Sequence, residues 1–237
     1  MQDNERSNKV KGDYLSVMNP WTEAIVDSLE PLRNARRAEE MEAYLKNLFP
    51  LLGISSPARR EAVARYFHKS ALPDPKDLSA IARELYKLDA REYHYVATDL
   101  LKKMKKSLTT EDLSWVESLI TSNSWWDTVD AIAAHPVGQI LQQDPEGAWP
   151  ILQTWIRSDN MWLNRAVIIC QLMAKDDTNT KWLEEAIAPH AQSKEFFHRK
   201  AIGWALRQYR KTNPDWVLNY VDSHPELSGL SRREALK

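Results

Sequence analysis

The sequence predicts an all-α fold, a curved α–α superhelix (solenoid) of helical repeats, on three observations. Apolar residues recur with the helical period along nearly the whole chain, and the breaks fall at proline, Asp/Asn and Ser/Thr clusters. The chain has six glycines and little alternation of Val or Thr with polar residues, which disfavours strands. A small residue returns every 34–35 residues, a spacing typical of stacked helix pairs.

Four alanines define this repeat. Ala97, Ala131, Ala166 and Ala201 follow one another at spacings of 34, 35 and 35 residues, and aromatic residues occupy the turn before each. A unit of this length holds two helices, of which the second carries the alanine. Because one helix pair cannot bury its own apolar face, neighbouring pairs must stack into a continuous core. The second helices of such a solenoid are expected to line its concave surface.

The individual helices follow from the apolar period and from their caps. Asn160 precedes one helical run, Ser193 precedes another, and Pro214 stands where a first helical turn tolerates proline. Predicted helices cover, in order, about 20–31, 34–49, 57–68, 76–88, 91–107, 110–121, 124–134, 146–157, 160–175, 180–191, 194–211 and 214–223.

Composition limits the function classes. The formal net charge is −1, so binding of nucleic acid would require a local basic face rather than an overall basic excess. The single Cys170 excludes an intrachain disulfide framework and a cysteine-based zinc site, and it lies in an apolar run that favours an inert core thiol. No run of 18 apolar residues occurs, so we expect no membrane association.

The domain organisation is simple in sequence. Residues 1–18 are polar and lack the apolar segment of a secretory signal, so we expect a flexible N-terminal tail and a cytoplasmic protein, in the bacterial cytosol or nucleoid. Residues 19–237 contain no linker, low-complexity tract or block of like charge. They are expected to form one domain of helical repeats.

The repeat alignment also yields a candidate site. The residue before the anchoring alanine is Asp130, Arg165 and Lys200 in three successive repeats, and equivalent positions stack side by side in a solenoid. Trp126 lies one turn before Asp130, and Trp204 lies one turn after Lys200, so both indoles share this face. The expected site therefore combines one carboxylate, two indoles and flanking cations, a set suited to holding a positive charge.

Structural alternatives exist for most of these residues. Asp130 and Arg165 also suit a plain salt bridge between repeats, and this interpretation carries about even weight for the pair taken alone. The tryptophans Trp125, Trp155 and Trp162 are each better explained as core residues. The histidines at positions 94, 190 and 198 are scattered, and we interpret them as surface or boundary residues.

Basic residues occur at the ends of several predicted helices and are numerous enough to follow a phosphate backbone. A lysine run at a helix C-terminus is also favoured by the helix dipole, so the 102–106 group suits a solvated helix end. No glycine-rich phosphate loop, Gly-x-Ser-x-Gly elbow or His-Glu-x-x-His pair occurs. The basic groups are Arg59 and Arg60, Lys102, Lys103, Lys105 and Lys106, Arg199, Lys200, Arg207, Arg210 and Lys211, and Arg232 and Arg233.

These residues resemble a known family. The Trp-Trp-Asp-x-Val-Asp segment within 124–130 and the Lys-Ala-Ile-Gly-Trp-x-Leu-Arg segment at 200–207 are specific rather than generic helix patterns. Together they make the chain similar to the AlkD family of alkylpurine DNA glycosylases, which are built from HEAT-like repeats. The similarity extends over roughly residues 20–237. Further matching stretches are 51–54, 158–166, 193–199, 211–215 and 230–235.

The resemblance implies roles for individual residues. Asp130 would be the catalytic carboxylate, and Trp126 and Trp204 would cradle the sugar and backbone of the damaged nucleotide. Arg165 would contact the DNA backbone near the lesion. The remaining DNA-binding candidates are Lys200, Arg207, Tyr44, Arg59, Arg60 and Trp125.

The resemblance implies a reaction as well. A monofunctional glycosylase would hydrolyse the N-glycosidic bond of positively charged N3- and N7-alkylated purines in double-stranded DNA, such as 3-methyladenine and 7-methylguanine. It would do so without base flipping, without a metal or cofactor and as a monomer, and it would leave an abasic site. Ser55 and Met173 depart from the family pattern, where Gln and a Lys or other polar residue are expected.

Two other function classes fit a helical solenoid. A repeat protein that binds damaged or branched DNA without chemistry would have no need for the tryptophan–carboxylate set. A protein-binding scaffold is the commonest use of such solenoids. Salt-dependent affinity for DNA separates the scaffold from the other two, and excision of a damaged base separates the glycosylase from the binder.

Overall fold

A computed structural model describes residues 18–237, so most of the predicted tail lies outside the described residues. Over this range the chain forms helices, turns and irregular segments and no strand, which confirms the all-α prediction. The packing divides the chain into two compact units, one ending at Leu100 and the other spanning Leu101–Lys237. The expectation that these units form a single domain stays a prediction.

Within residues 18–100, the first unit contains four complete helices and most of a fifth. Asn19 and Asn34 cap α1 and α2, each accepting a hydrogen bond from the first turn. The predicted helix 34–49 ends early because Lys46 and Asn47 adopt positive φ angles of 61° and 55°. The helices are α1 (Pro20–Leu29), α2 (Ala35–Tyr44), α3 (Ser56–Val63), α4 (Leu78–Lys87) and α5 (Arg91–Met104).

A buried carboxylate organises the loop between α2 and α3. Glu92 is fully buried, and its oxygens accept hydrogen bonds from the backbone N–H groups of Leu52, Gly53 and Ile54 at 2.9–3.0 Å. Gly53 has φ +81°, and a Cβ there would collide with the carbonyl oxygen of Asn34. The loop therefore needs a glycine at position 53 to adopt the positive φ angle, and it needs Glu92 to accept hydrogen bonds from its buried N–H groups.

The second unit contains the rest of α5 and nine further helices. Buried apolar residues of the first helix of each pair, such as Leu113, Leu183 and Val217, face the second helices. The helices are α6 (Leu113–Thr121), α7 (Trp126–Ile132), α8 (Gly138–Gln143), α9 (Pro145–Ile156), α10 (Met161–Ile169), α11 (Thr180–Ile187), α12 (Phe196–Arg210), α13 (Pro214–Ser223) and α14 (Gly229–Ala235).

The second helices pack side by side in repeat order. Helix α10 packs against α7 and α12, and α12 packs against α14. The anchoring residues Ala166 and Ala201 are fully buried at these contacts, whereas Ala131 is half-buried. Ala235 in α14 is also fully buried and stands 34 residues after Ala201, so the repeat continues one unit further than the sequence alignment placed it.

Two further helices differ from the prediction in where they end or how they continue. Pro136 lies inside the second helix of one repeat, and a π-helical segment (Ala133–Val137) accommodates it before α8 continues to Gln143. Helix α10 ends at Ile169, well before the predicted residue 175, and turns follow it. Helices α8 and α14 were not among the predicted helices.

Two of the three histidines lie in the interior, which corrects the surface interpretation. His94 is 1% exposed and stacks on Tyr86, with ring centroids 4.8 Å apart. His198 is buried beside His190, and burial lowers the pKa of His198 to about 4, so its ring is neutral at pH 7. Cys170 is buried as predicted, and burial raises the pKa of its thiol to about 12. Between residues 18 and 237, no helix has the length and apolar content needed to cross a membrane.

Candidate functional site

Helix α7 carries the first part of the candidate site. The carbonyl of Trp125 accepts hydrogen bonds from the N–H groups of Thr128 and Val129, and the helix begins at Trp126. Asp130 follows one turn later on the same face. Both Trp126 and Asp130 are half-buried, so this face of α7 remains accessible from solvent.

Helix α10 positions the second part through a buried amide. The Asn164 side chain is 3% exposed, and its Nδ2 lies 2.8–3.1 Å from the carbonyl oxygens of Trp155, Ile156 and Ser158 at the end of α9. The start of α10 is thereby held against the C-terminal end of α9, where the last carbonyl groups lack the usual intrahelical partners. Because Arg165 follows Asn164 directly in α10, its backbone is held in a defined position as well.

Arg165 connects three helices of the second unit. Its Nε donates to Asp130 Oδ1 at 2.7 Å and its Nη2 donates to Asp130 Oδ2 at 2.8 Å, in a bidentate pair. Its Nη1 donates to the backbone oxygen of Phe197 in the first turn of α12 at 2.7 Å. The side chains of Asp130 and Arg165 are 15% and 6% exposed, so the carboxylate keeps some contact with solvent while the guanidinium is buried.

The electrostatics of Asp130 balance two opposing effects. Burial raises the pKa of this carboxyl above its ordinary value, and the hydrogen bonds and positive charge of Arg165 act in the opposite direction. An ionised carboxylate offers about four acceptor positions, of which Arg165 uses two. Asp130 therefore retains acceptor capacity on its solvent side.

An aromatic cluster packs beside this ion pair. The rings of Trp125, Trp162 and Phe197 lie within 4.8–5.8 Å of one another between centroids. Phe196 adds an exposed edge-to-face partner to Phe197 at 5.5 Å and is 52% exposed. Trp125, a DNA-binding candidate in sequence, is half-buried and packs within this cluster, and its contact with DNA stays a prediction.

Trp204 lies on α12, the helix that receives the third bond of Arg165. It is half-buried and follows Lys200 by one turn. The structure therefore brings Asp130 and Arg165 into direct contact, puts Trp126 one turn from Asp130, and carries Trp204 on the helix that packs against α10.

Lys200 and Arg207 share one buried carboxylate. The Lys200 Nζ lies 3.3 Å from Glu234 Oε1, and the Arg207 Nη1 lies 2.6 Å from Glu234 Oε2. Lys237 adds a contact of 2.5 Å to Oε1. The hydrogen bonds from these three residues, of which the one from Lys237 has the largest effect, hold the pKa of Glu234 at about 2. Lys200 and Arg207 remain about one-third exposed.

The other DNA-binding candidates lie in the first unit. Tyr44 is 70% exposed at the end of α2, and the Arg60 side chain is 67% exposed. The Arg59 side chain is 4% exposed, donates to Asp99 at 2.9 Å and lies 4.8 Å from the ring centre of Tyr95. This burial disfavours a phosphate contact through Arg59, whereas the side chains of Tyr44 and Arg60 are mostly exposed.

Sequence reasoning missed two residues of the site. Glu234 precedes Ala235 and so occupies the repeat position of Asp130, Arg165 and Lys200. Extending the alanine spacing by one further repeat would have found it. Asn164 gave no comparable signal, because an asparagine inside a helix is usually solvated and only the three carbonyls of the α9 end explain it.

No group of three or more His, Cys, Asp or Glu side chains in the described part of the chain is placed to hold a metal ion.

Comparisons with known proteins agree on one family. The family model described as "DNA alkylation repair enzyme" matches residues 25–237. Among solved structures, the chain is similar to a protein described as "Predicted DNA alkylation repair enzyme from Enterococcus faecalis", with 33% sequence identity and a TM-score of 0.79. That similarity covers 86% of this chain and 95% of the other chain. The curated proteins give no match.

Proposed function

We propose, on the premise that the chain belongs to the DNA alkylation repair enzyme family, that it is a monofunctional DNA glycosylase. Its substrates would be double-stranded DNA containing positively charged N3- or N7-alkylated purines, such as 3-methyladenine and 7-methylguanine. The observation that carries the proposal is the position of Asp130. This half-buried carboxylate shares one face of α7 with Trp126, and the buried Arg165 of α10 holds it in place. The enzyme would act as a cytoplasmic monomer.

The chemistry of the substrate matches this set of residues. An alkylated purine already carries a positive charge, so it departs readily with the electron pair of the bond between N9 and the sugar C1′. The remaining barrier is the positive charge that develops on the sugar. A fixed carboxylate and the electron-rich faces of two indoles stabilise such a cation in the transition state.

The steps assign a role to each group. The bond from C1′ to N9 breaks, and the carboxylate of Asp130 stabilises the oxocarbenium-like sugar. Water adds to C1′, and its proton passes to Asp130 or to solvent, which leaves a hydroxyl on an abasic sugar. Trp126 and Trp204 would contact the sugar and the backbone of the damaged nucleotide.

Arg165 acts on Asp130 rather than on the departing base. Its two bonds fix both carboxylate oxygens, and its positive charge opposes the effect of burial on the pKa of Asp130. A preorganised carboxylate needs little rearrangement when charge develops beside it. Because Arg165 is 6% exposed and three of its five N–H groups already donate to Asp130 and Phe197, this role is better supported than a direct phosphate contact.

Recognition of the lesion need not involve a deep pocket. In the proposed mode the damaged base stays in the duplex, and the protein addresses the sugar from the side of the backbone. Bulkier alkyl groups on N3 or N7 would then be tolerated, since no protein pocket limits their size. Excision of one bulky N7 adduct at a rate close to that of 7-methylguanine is the expected result.

One observation favours a second candidate. A bidentate pair that occupies both oxygens of Asp130 is also what a structural bridge between repeats requires. A helical-repeat protein that binds damaged DNA without chemistry would contain the same pair. Excision of 7-methylguanine by the wild type, lost in Asp130→Asn at unchanged DNA affinity, supports the glycosylase, and tight binding without excision supports the binder.

A further inference from the structure

The end of α12 and the residues after α14 together form a pocket of positive charge. This pocket is open to solvent, has a volume of about 350 Å³ and is lined by Arg207, Arg210, Lys211, Pro214 and Lys237. Four of its five lining residues are cations. We propose that it binds one phosphodiester group of the DNA backbone, away from the damaged nucleotide, and we call it the phosphate clamp.

The clamp cations are held by the fold rather than free in solvent. Arg207 and Lys237 contact the buried Glu234 at 2.6 and 2.5 Å. Arg210 donates to the backbone oxygen of Leu236 at 2.8 Å. Because these contacts already order the side chains, less conformational entropy is lost when a phosphate binds. The site is therefore preorganised for an anion.

The charge in the clamp is not balanced. Glu234 is a single carboxylate shared by Lys200, Arg207 and Lys237. Arg210 and Lys211 have only neutral partners within residues 18–237, the Leu236 carbonyl and the Gln208 side chain. An unbalanced set of arginines and lysines around an open pocket is suited to the oxygens of a phosphate group.

A close approach of two helices creates this arrangement. Gly203 lies on α12, and a Cβ there would collide with Glu234 Cβ and lie 3.0 Å from the Ser231 oxygen of α14. The absence of a side chain at Gly203 therefore lets Glu234 reach α12 and hold Lys200 and Arg207. Gly203 and Glu234 are positioning residues for the clamp.

The clamp continues the helix face that carries Trp204. Lys200, Trp204, Arg207 and Lys211 are spaced by four, three and four residues, so they share one face of α12. Trp204 and Lys211 are separated by about 10 Å along the helix axis, at 1.5 Å per residue. For a helix that lies parallel to the duplex axis, that distance corresponds to roughly three nucleotide steps of B-form DNA, at about 3.4 Å per step.

The inference rests on the proposed function for this last point. If Trp204 lies at the damaged nucleotide and α12 runs along the duplex axis, the clamp holds a phosphate roughly two to four steps away on the same backbone. The affinity of the clamp for backbone phosphate does not require excision, so the two ideas can fail separately.

The test compares two doubly substituted variants. Arg210→Gln with Lys211→Gln removes two clamp charges without touching Glu234 or Trp204. Arg157→Gln with Lys181→Gln removes the same charges from exposed positions near the first helices α9 and α11. Thermal unfolding of each variant checks that it is folded.

Binding to an undamaged duplex is measured by fluorescence anisotropy over a series of salt concentrations. The clamp variant should bind more weakly, and the slope of log Kd against log salt concentration should decrease by about one unit, the value for one lost phosphate contact. The control variant should keep the wild-type slope. An unchanged slope in the clamp variant, or an equal loss in the control, would overturn the proposal.

Neutral methylphosphonate linkages then locate the phosphate on a duplex with one 7-methylguanine. One linkage, two to four steps from the lesion, should weaken wild-type binding several-fold and have no effect on the clamp variant.

A wild type that binds but does not excise, with the slope still lost in the variant, would retain the clamp and reject the glycosylase. Excision with an unchanged slope would retain the glycosylase and reject the clamp. If added inorganic phosphate weakens binding more than sulfate does at equal ionic strength, and no linkage has an effect, the pocket is a free-phosphate site and the proposal is wrong.

Discussion

Asp130 and Arg165, which lie one repeat of 35 residues apart, form a bidentate ion pair with N–O distances of 2.7 and 2.8 Å. The third N–H direction of Arg165 reaches the first turn of α12 at 2.7 Å. One buried guanidinium thus joins three successive second helices and orients the carboxylate between them.

The first prediction concerns the protonation of Asp130. Replacing Arg165 by Gln removes the positive charge that opposes burial, so the pKa of Asp130 should increase further. Excision needs the ionised carboxylate, so the acid limb of the pH–rate profile should move to higher pH in Arg165→Gln. Arg165→Lys keeps the positive charge but cannot make the bidentate contact. The acid limb of its pH–rate profile should therefore lie between those of the wild type and Arg165→Gln.

Single-turnover rates at saturating protein measure these profiles, since they separate chemistry from binding. A variant with a reduced rate but the wild-type acid limb would indicate that Arg165 does not tune Asp130. Loss of DNA affinity without a change in rate would instead assign Arg165 to a backbone contact.

The second prediction concerns the indoles. Trp204→Leu and Trp126→Leu each remove an aromatic face, and each should slow single-turnover excision about 10-fold, because a cation–π contact contributes about 1–2 kcal/mol when water is excluded. Trp204→Phe and Trp126→Phe keep an aromatic face and should lose less activity. Equal losses for Phe and Leu would show that volume, rather than the aromatic face, is what matters.

The third prediction concerns Glu234 and pH. The pKa of this carboxyl lies at about 2 in the folded protein, below its ordinary value of 4.5. A lowered pKa contributes stability that is present above pH 4.5 and is lost as the pH falls from 4.5 towards 2. Glu234→Gln should therefore be less stable than the wild type at pH 7, by about 2 kcal/mol, the usual effect of losing hydrogen bonds to a charged group.

Thermal unfolding at several pH values tests this. The difference between wild type and Glu234→Gln should shrink as the pH falls below 4.5. Glu184→Gln, a change at an exposed glutamate of α11, should show no such dependence. A difference that stays constant down to low pH would argue against the ion pairs as its cause.

The fourth prediction concerns the first unit. Glu92→Gln keeps one acceptor oxygen but turns two donors towards the N–H groups of the 52–54 loop. Because Glu92 is fully buried, the change should cost about 3 kcal/mol of stability. Hydrogen exchange at the amides of Leu52, Gly53 and Ile54 should accelerate, and exposed Glu39→Gln should leave it unchanged. Protection that persists in Glu92→Gln would contradict the assigned role.

Much of the second unit was predictable because its repeat leaves a regular trace in sequence. The alanines at one spacing located the second helices, and the opposite charges of Asp130 and Arg165 at one repeat position predicted their contact. Periodicity carries this information because equivalent residues of neighbouring repeats must pack side by side.

The remaining features depend on tertiary partners that no local pattern reveals. Arg59 resembles a solvated arginine in sequence, and only Asp99 and the ring of Tyr95 explain its burial. The π-helical segment at Pro136 follows from a local backbone adjustment that propensity alone does not predict. Arg207, Arg210 and Lys211 are recognisable in sequence as basic residues, but their assembly with Lys237 into one pocket is not, because it needs Gly203 to admit Glu234.

The most direct measurement uses a duplex with a single 7-methylguanine, incubated with wild type, Asp130→Asn and the exposed control Asp159→Asn. Alkali-labile sites report abasic product, and anisotropy reports DNA affinity. Wild type and Asp159→Asn should excise the base, and Asp130→Asn should be slower by at least about 100-fold at unchanged affinity. Normal excision by Asp130→Asn, or no excision by the folded wild type despite tight binding, would contradict the assignment of Asp130 as the catalytic carboxylate.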